Sequence, residues 1–417
     1  MKAKLLCTTA LFSATTLLNA QGPWTQKADF GGIARDGATG FVIGSKGYIG
    51  TGYGGTFYKD FWEYDPSTNT WTQKADFDGT ARYGAVAFAI GSKGYIGTGE
   101  DNGWIVKKDF WEYDPSTNIW TQKADFDGTK KVGAVGFAIG NKGYIGTGYD
   151  GMNSYKDFWE YDPNTDTWIP KADVGGIARL DAVGFAIGNK GYIGIGDDGT
   201  TSFYKDFWEY DPSANAWTQK ADFGGNERAQ AVGFSIGSKG YVGTGNNDGV
   251  YKKDIWEYDS YTNVWIQKAD FCGTARRYTV SFTIGSKGYI GTGLDGTFKK
   301  DFWEYDPVGT SNTTTISFEE NQQNNSSIYP NPFSTNVTIV VNAELSLPTG
   351  QAGMQNTELK IYDALGKEIK SVGNGQLTVG NNKTEIKIER NNLPAGVYFY
   401  KLTTGYEQIA EGKLMIE

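Results

Sequence analysis

Histidine is absent from this chain of 417 residues. Histidine is the general base of Ser-His-Asp triads and a common ligand of zinc and copper. Its absence excludes such triads, Cys-His pairs and histidine-ligated metal centres. Any proton transfer would have to use carboxylate, tyrosine or lysine side chains. We therefore expect no catalytic set, no metal and no cofactor.

Cysteine is nearly absent, with only Cys7 and Cys272. Residues 1–20 have the pattern of a signal peptide, in which lysines precede an apolar stretch that ends in small residues. Its removal leaves one cysteine, so no intrachain disulfide can form and stability must be non-covalent. The apolar stretch Leu5–Leu18 is too short and too rich in Thr and Ser to span a bilayer, so no transmembrane span is expected.

Runs of positive charge are also missing. The chain has 39 Lys and Arg against 48 Asp and Glu, a formal net charge of -9. Nucleic acids and anionic membranes attract proteins through clustered Lys and Arg. Neither is an expected partner.

What the chain does contain is a repeat of about 48 residues, present six times. A fixed period in this range indicates stacked units, each too small to bury its own apolar face. The motif KGYIGTG marks the repeat by its tyrosine, at Tyr48, Tyr95, Tyr144, Tyr192, Tyr241 and Tyr289. The motif DFWEYDP follows it, with its tryptophan at Trp62, Trp111, Trp159, Trp208, Trp256 and Trp303.

Each repeat reads as four short antiparallel strands. In the second repeat we predict strands over Gly84–Ile90, Tyr95–Gly99, Asp109–Tyr113 and Trp120–Lys123. The first strand is rich in Gly and Ala, which suits the crowded axis of a ring of blades, whereas the last two carry the large aromatic residues. The sequence predicts an all-β, six-bladed β-propeller over residues 21–308.

Ring closure is also predicted. The sixth repeat ends at Pro307 without a fourth strand, and a spare fourth strand, Trp24–Lys27, precedes the first repeat. Pairing of this N-terminal strand with the sixth repeat would complete that blade and remove an exposed sheet edge.

The order of Arg, a Gly-rich strand, Tyr with a diglycine-like GTG, Tyr-Asp-Pro and Trp resembles the kelch repeat over about residues 22–308. The chain departs from that family in having GTG in place of Gly-Gly, and GIG at 194–196. Some kelch propellers are copper oxidases, which need histidine ligands, so that activity is excluded. Others are sialic acid mutarotases, which work with charged side chains.

The resemblance implies that two sets of loop residues line the mouth of the central channel. One set follows GTG or GIG: Tyr53, Glu100, Tyr149, Asp197, Asn246 and Leu294. The other follows a basic residue: Asp36, Tyr83, Val132, Leu180, Ala229 and Arg277. The predicted ligand contacts are Tyr53, Glu100, Trp104, Tyr149, Asp197, Asn246, Tyr83 and Arg277. Among these, Trp104, Tyr53 and Tyr149 would form a platform for stacking a sugar.

The basic residues themselves form a ring: Arg35, Arg82, Lys131, Arg179, Arg228 and Arg276. Such a ring would suit a carboxylate or sulfate. We favour a structural role, in which each cation pairs with the Asp six residues before it: Asp29, Asp76, Asp125, Asp173, Asp222 and Asp270. The acidic loops after GTG are interpreted as turns rather than calcium sites, because their spacing is not that of an EF-hand.

A different composition begins after the propeller. Residues 309–327 read as a linker rich in Thr, Asn, Gln, Ser and Glu, and 328–417 as short strands of a small Ig-like β-sandwich. The segments YPNPF, LKIYDALGKEI, NLPAGVYFYKL and GKLMIE closely resemble the C-terminal sorting domain of type IX secretion cargo. The motif positions are Tyr329, Pro330, Asn331, Pro332, Gly396, Tyr398, Gly412 and Lys413.

That resemblance implies export across the inner membrane by the leader and across the outer membrane by the secretion machinery. The protein would then be secreted or held on the outer cell surface. An ordinary Ig-like accessory domain is the alternative for this module.

Three functions are left open for the propeller. The first is a binding or adhesion module that engages a glycan or a protein through one rim. The second is a carbohydrate-active enzyme of the sialic acid mutarotase type, which would need Glu100, Asp197, Glu227 and Arg277. The third is a structural surface protein in which the propeller is a rigid spacer.

Deletion of residues 328–417 is expected to trap the propeller in the periplasm of a host with type IX secretion, because the leader alone serves only the inner membrane. Cell fractionation and protease treatment of intact cells would measure this. A variant without residues 1–20 is the control and should stay in the cytoplasm. Unchanged surface display after the C-terminal deletion would overturn the assignment.

Overall fold

The structure is a computed structural model that describes residues 23–307 and the strands between residues 325 and 416. The predicted leader and linker lie outside the described residues. The chain divides into two compact units, residues 1–313 and 314–417. Each unit is described by itself. The described residues contain no helix long and apolar enough to cross a bilayer.

The first unit contains six four-stranded antiparallel sheets, one for each blade, and two small two-stranded sheets, Arg82–Tyr83 with Glu100–Asp101 and Asn246–Asn247 with Val250–Tyr251. Blade 1 comprises Thr39–Ile43, Lys46–Gly50, Phe61–Asp65 and Thr70–Gln73. Blade 2 comprises Val86–Ile90, Lys93–Gly97, Phe110–Asp114 and Ile119–Lys123. Blade 3 comprises Val135–Ile139, Lys142–Gly146, Phe158–Asp162 and Thr167–Lys171. Blade 4 comprises Val183–Ile187, Lys190–Gly194, Phe207–Asp211 and Ala216–Gln219. Blade 5 comprises Val232–Ile236, Lys239–Gly243, Ile255–Asp259 and Val264–Gln267. Blade 6 comprises Val280–Ile284, Lys287–Gly291, Phe302–Tyr305 and Trp24–Gln26. The predicted strands of blade 2 are correct within two residues.

The first strand of each blade lies nearest the axis, as predicted, and touches the first strands of the neighbouring blades. Glycine in the first and second strands allows neighbouring blades to approach closely. A Cβ atom on Gly40 would lie 2.9 Å from Val280 Cγ2 of blade 6, and one on Gly47 would lie 2.5 Å from the Phe282 ring. These contacts leave no room for a side chain at either glycine.

Aromatic side chains fill the wider seams between blades. Phe61 of blade 1 lies edge-on to Tyr113 and Trp120 of blade 2, with ring centroids 4.9 and 5.0 Å away. A polar contact closes the same seam, because Asn118 Oδ1 accepts hydrogen bonds from Tyr113 Oη and from the backbone N–H of Ala75. Repetition of such seams replaces disulfides as the source of stability.

The N-terminal strand closes the ring, which confirms the prediction. Trp24–Gln26 pairs antiparallel with the third strand of blade 6, with Trp24 opposite Tyr305. The Trp24 indole is 3 % exposed, lies 5.2 Å from the Phe271 ring and donates a hydrogen bond to the carbonyl of Ala269 in blade 5. The strand thus completes blade 6 and joins it to blade 5.

The second unit contains two four-stranded antiparallel sheets. Their strands are Asn325–Tyr329, Asn336–Asn342, Lys383–Glu389 and Leu377–Gly380 in one sheet and Glu368–Val372, Thr357–Tyr362, Gly396–Thr404 and Glu407–Ile416 in the other. The strands at 368–372 and 377–380 were not predicted. An Ig-like arrangement of the two sheets stays a prediction.

The substitution Trp24→Ala is expected to lower the free energy of unfolding by about 3–5 kcal/mol, because it removes the largest buried side chain of the closing strand. Denaturant titration of the mature chain would measure this. The matched control is Trp104→Ala, which truncates an indole that is 66 % exposed and should cost far less. Equal unfolding midpoints for the two variants would contradict the role of the closing strand.

Candidate functional site

A buried cation in each blade positions the loops at one end of the channel. In blade 2, Arg82 Nη1 and Nη2 donate to Asp109 Oδ1 and Oδ2 at 2.8 and 2.6 Å, and Arg82 Nη1 also donates to the carbonyl of Thr98. Trp111 Nε1 donates to the same carboxylate at 2.8 Å. We call this arrangement the clasp. Its ion pairs are Arg35–Asp60, Arg82–Asp109, Lys131–Asp157, Arg179–Asp206, Arg228–Asp254 and Arg276–Asp301.

The predicted partners of these cations are wrong. The Asp residues six positions earlier are all exposed: Asp29, Asp76, Asp125, Asp173, Asp222 and Asp270. The basic side chain instead turns inward over a buried aromatic ring, as Arg82 does over Phe77 at 4.8 Å, and reaches the Asp that begins the third strand. A buried guanidinium needs a carboxylate inside the fold, which an exposed Asp cannot supply.

The clasp holds its carboxylate ionised. Burial by itself would raise the pKa of Asp109, but the hydrogen bonds and charge of Arg82 outweigh it and keep that pKa below its usual range. In blade 3 a lysine replaces the arginine, and Lys131 Nζ lies 2.5 Å from Asp157 Oδ1. An ammonium cannot form the two-point contact of a guanidinium, so this clasp lacks the paired hydrogen bonds of the other five.

The two predicted sets of mouth residues meet next to the clasps. In every blade the residue after the cation pairs with the residue after GTG or GIG. The pairs are Asp36–Tyr53, Tyr83–Glu100, Val132–Tyr149, Leu180–Asp197, Ala229–Asn246 and Arg277–Leu294. All predicted mouth residues except Trp104 therefore belong to one circle of paired backbone segments.

A third set of residues closes this circle at the axis and was missed by the sequence analysis. Its members are Gly37, Gly84, Gly133, Asp181, Gln230 and Tyr278. Each backbone N–H donates to the carbonyl of the member in the preceding blade, at 2.8 to 3.2 Å, so that six hydrogen bonds form a closed ring. All six residues have a positive φ, between 52° and 63°. A position that is Gly in the first three repeats and polar in the last three was the available signal.

The side chains of this third set gather on one side of the axis. Asp181 Oδ2 accepts hydrogen bonds from Tyr278 Oη at 2.7 Å and from Gln230 Nε2 at 3.3 Å. Arg277 Nη1 donates to Gln230 Oε1 at 3.2 Å, and the Tyr83 ring lies 5.3 Å from the Tyr278 ring. We call these five residues the axial cluster.

Glycine in the other three blades makes space for the axial cluster. A Cβ atom on Gly37 would lie 2.1 Å from Tyr83 Cε2, and one on Gly133 would lie 2.6 Å from Asp181 Oδ1. Three blades thus supply space and the others supply polar side chains. The mouth is asymmetric although the scaffold is nearly six-fold symmetric.

Carboxyl groups at the mouth have raised pKa values. Burial, aided by the charge of Asp197, raises the pKa of Asp181 to about 7, against the opposing effects of Tyr278, Gln230 and Arg277. Burial also raises the pKa of Asp36 to about 6, although Arg277 opposes it. Burial likewise raises the pKa of Glu100 and of Asp197. The mouth therefore holds groups that exchange protons near neutral pH in a protein without histidine.

Three buried polar atoms at the mouth have no hydrogen-bond partner among the described residues. They are Asp36 Oδ1, Asn246 Oδ1 and Arg277 Nε. Blades 5, 6 and 1, which supply them, are consecutive around the ring. A buried polar atom without a partner costs about 1–3 kcal/mol, so this sector retains capacity to bind a polar ligand.

An aromatic strip lies beside this sector. Its rings are edge-on to one another, with Trp104 5.4 Å from Phe57, Phe57 5.2 Å from Tyr53 and Tyr53 5.7 Å from Phe298. Trp104, at the end of the strip, has a φ of 55° and is exposed. The predicted sugar platform thus joins Trp104 to Tyr53 through Phe57, and Tyr149 makes none of these described ring contacts.

The acidic side chains of the loops after GTG and GIG accept hydrogen bonds from the backbone of their own loops. Asp101 Oδ1 accepts hydrogen bonds from the backbone N–H of Gly103 and Ile105, and Asp198 Oδ1 accepts one from Thr200. Among the described residues, no cluster of three or more Asp, Glu or Cys is arranged to hold a metal ion. Glu227, required by the enzyme hypothesis, is exposed and lies outside the axial cluster.

Two comparisons with known proteins bear on these findings. Residues 327–417 match the family described as the secretion system C-terminal sorting domain. The solved structure described as the structure of YjhT is similar to this chain with a TM-score of 0.58 and 17 % sequence identity, over 66 % of this chain and 95 % of that one. No curated protein sequence matches the chain.

These observations define a six-bladed β-propeller, the fold shared with the YjhT structure, followed by a type IX secretion sorting domain. The protein is accordingly secreted or located at the outer cell surface, and the secretion machinery is a partner. Of the predicted sorting motif, Tyr329, Gly396, Tyr398, Gly412 and Lys413 lie on strands of the second unit. Pro330, Asn331 and Pro332 lie outside the described residues.

The substitution Asp181→Asn is expected to flatten the pH dependence of stability. A carboxyl group whose pKa is higher in the folded state contributes stability that is full below about pH 4 and is lost as the pH rises through about 7. The variant should match the wild type at pH 4 and exceed its free energy of unfolding at pH 8, by at most about 4 kcal/mol. Urea titrations across this range would measure the difference.

The matched control is Asp198→Asn. Hydrogen bonds from Thr200 lower the pKa of Asp198 to about 2, so this change should not alter the slope between pH 5 and pH 8. Parallel stability curves for the wild type and Asp181→Asn would show that the axial carboxyl ionises like an exposed one.

Proposed function

We propose that this protein is an exported binding module that holds its ligand at the mouth formed by the axial cluster and its neighbours. One observation carries the proposal: the repeats keep their interior contacts but differ where they meet at the axis. In all six blades a tyrosine of the second strand donates to a glutamate of the third, as Tyr48 does to Glu63 at 2.6 Å. At the axis the backbone hydrogen bonds are still equivalent, but the side chains differ from blade to blade.

The pattern of unsatisfied polar atoms supports binding over a purely structural role. A spacer gains nothing from leaving Asp36 Oδ1, Asn246 Oδ1 and Arg277 Nε buried without partners, since each costs stability. A binding site tolerates this cost because the ligand supplies the missing partners. The clasps beside the mouth also fix the loops in advance, which lowers the entropy cost of binding.

Acid–base catalysis on a carbohydrate is a second candidate, favoured by the carboxyl groups of Asp36 and Asp181. Their pKa values of about 6 and about 7 suit groups that exchange protons at neutral pH. The residues differ from the set expected from sequence, since Glu227 lies outside the axial cluster. Under this hypothesis Asp181→Asn would lose turnover of a sugar while retaining its binding.

The test is to probe the mature chain, residues 21–417, on a printed glycan array and on a panel of extracellular matrix proteins. The substitution Arg277→Gln should weaken binding at least tenfold, because it removes the cation of the axial cluster. Lys253→Gln is the control: it removes the same charge beside Asp270, outside the mouth, and should leave binding unchanged. Equal binding by both variants, or no binding to either panel, would count against the proposal.

A further inference from the structure

We infer that the ligand is an oligosaccharide without carboxylate or sulfate groups, which lies across the mouth from Trp104 to the sector of Arg277. The inference rests on the proposed function and adds the chemical class and the orientation of the ligand. Charge, hydrogen-bonding capacity and the aromatic strip each contribute one argument.

The charge at the mouth disfavours an anionic ligand. Four carboxyl groups, those of Asp36, Glu100, Asp181 and Asp197, belong to the paired mouth segments and the axial ring, whereas Arg277 supplies the cation. The six basic residues beside them are already bonded to the clasp carboxylates. A sugar carrying a carboxylate or sulfate would meet net repulsion here at a pH at which these four carboxyl groups are ionised.

A ligand that satisfies these three atoms must both donate and accept hydrogen bonds. Asp36 Oδ1 and Asn246 Oδ1 are acceptors, and Arg277 Nε is a donor. An ammonium group only donates and a sulfate only accepts, whereas a hydroxyl group does both. The hydroxyl groups of a sugar can therefore serve both the two acceptors and the donor in the sector of blades 5, 6 and 1.

The aromatic strip extends this site along the rim. The backbone of Tyr53 pairs with that of Asp36, so the strip begins at the sector with the unsatisfied atoms. It continues through Phe57 to the exposed Trp104 in two steps of 5.2 and 5.4 Å. The C–H face of a sugar ring packs on an exposed indole, and a ligand that touches both ends must be longer than one sugar.

A peptide ligand fits this surface less well. Extended peptides bind by adding a strand to an open sheet edge, where backbone groups are free. At the axis the backbone N–H and carbonyl groups of the third set are used by the closed ring of six hydrogen bonds. The mouth thus offers side chains for recognition and no open edge.

The experiment compares binding of the mature chain to neutral and anionic glycans that share a backbone geometry. Methyl-esterified and free oligogalacturonates share the α-1,4-linked backbone and differ only in the charge at C6, and neutral galactan, glucan, mannan and chitin oligosaccharides widen the panel. We expect binding to at least one neutral series, at least tenfold weaker binding to its anionic counterpart, and a gain in affinity from one sugar to four.

The variant Trp104→Ala tests the orientation. It should remove the gain from chain length while leaving the affinity for the single sugar unchanged. Tyr261→Ala is the control, because Tyr261 is 85 % exposed on a turn between the third and fourth strands of blade 5, away from the mouth. That variant should bind like the wild type.

The outcomes separate this inference from the function on which it rests. A preference for anionic glycans, or for a matrix protein, that is lost in Arg277→Gln would overturn the ligand class and keep the mouth as a binding site. Neutral binding that is indifferent to both Arg277→Gln and Trp104→Ala would overturn both.

Discussion

The buried clasp is the contact on which the propeller and its mouth depend. In blade 2 it links the loop before the first strand, the turn after the second strand and the start of the third through Arg82, Thr98 and Asp109. Thr98 has a φ of 59°, which costs of order 1–3 kcal/mol for a residue other than glycine, and the hydrogen bond to its carbonyl helps to offset that cost. The mouth residues lie next to the clasp along the chain, so the clasp fixes their positions.

The fold was predictable because the same local solution recurs six times. The motif spacing gave the blade count, small residues in the first strand gave its place at the axis, and Trp24 ahead of the first repeat gave the closure. The partner of Arg82 was not predictable from proximity in the sequence, since Asp109 lies 27 residues further along the chain. The axial ring was not predicted because its six members share a backbone conformation but not a residue type. A repeat comparison of the sequence shows only the residue type.

Duplication explains how an asymmetric site arises on a symmetric frame. The clasp, the aromatic seams and the tyrosine–glutamate contacts are satisfied within a blade or between neighbours, so they constrain each repeat in the same way. The axis is different, because all six blades share one small volume there. Gly133 leaves room there for Asp181, and Gly37 leaves room for Tyr83. Substitution of either glycine would therefore displace a side chain of the next blade.

The closing strand Trp24–Gln26 lies before the first repeat and pairs with the last one. Its pairing therefore does not depend on how many blades lie between them. Blades 1 to 5 carry their fourth strand through a short turn, which keeps that strand at high local concentration. An open edge is left only at the final blade, so Trp24–Gln26 finds its partner by connectivity, although the other third strands read almost the same. A gene that gained or lost a whole repeat by recombination would still encode both the N-terminal strand and a last blade without a fourth strand. The number of blades can therefore change while the closing strand pair is kept.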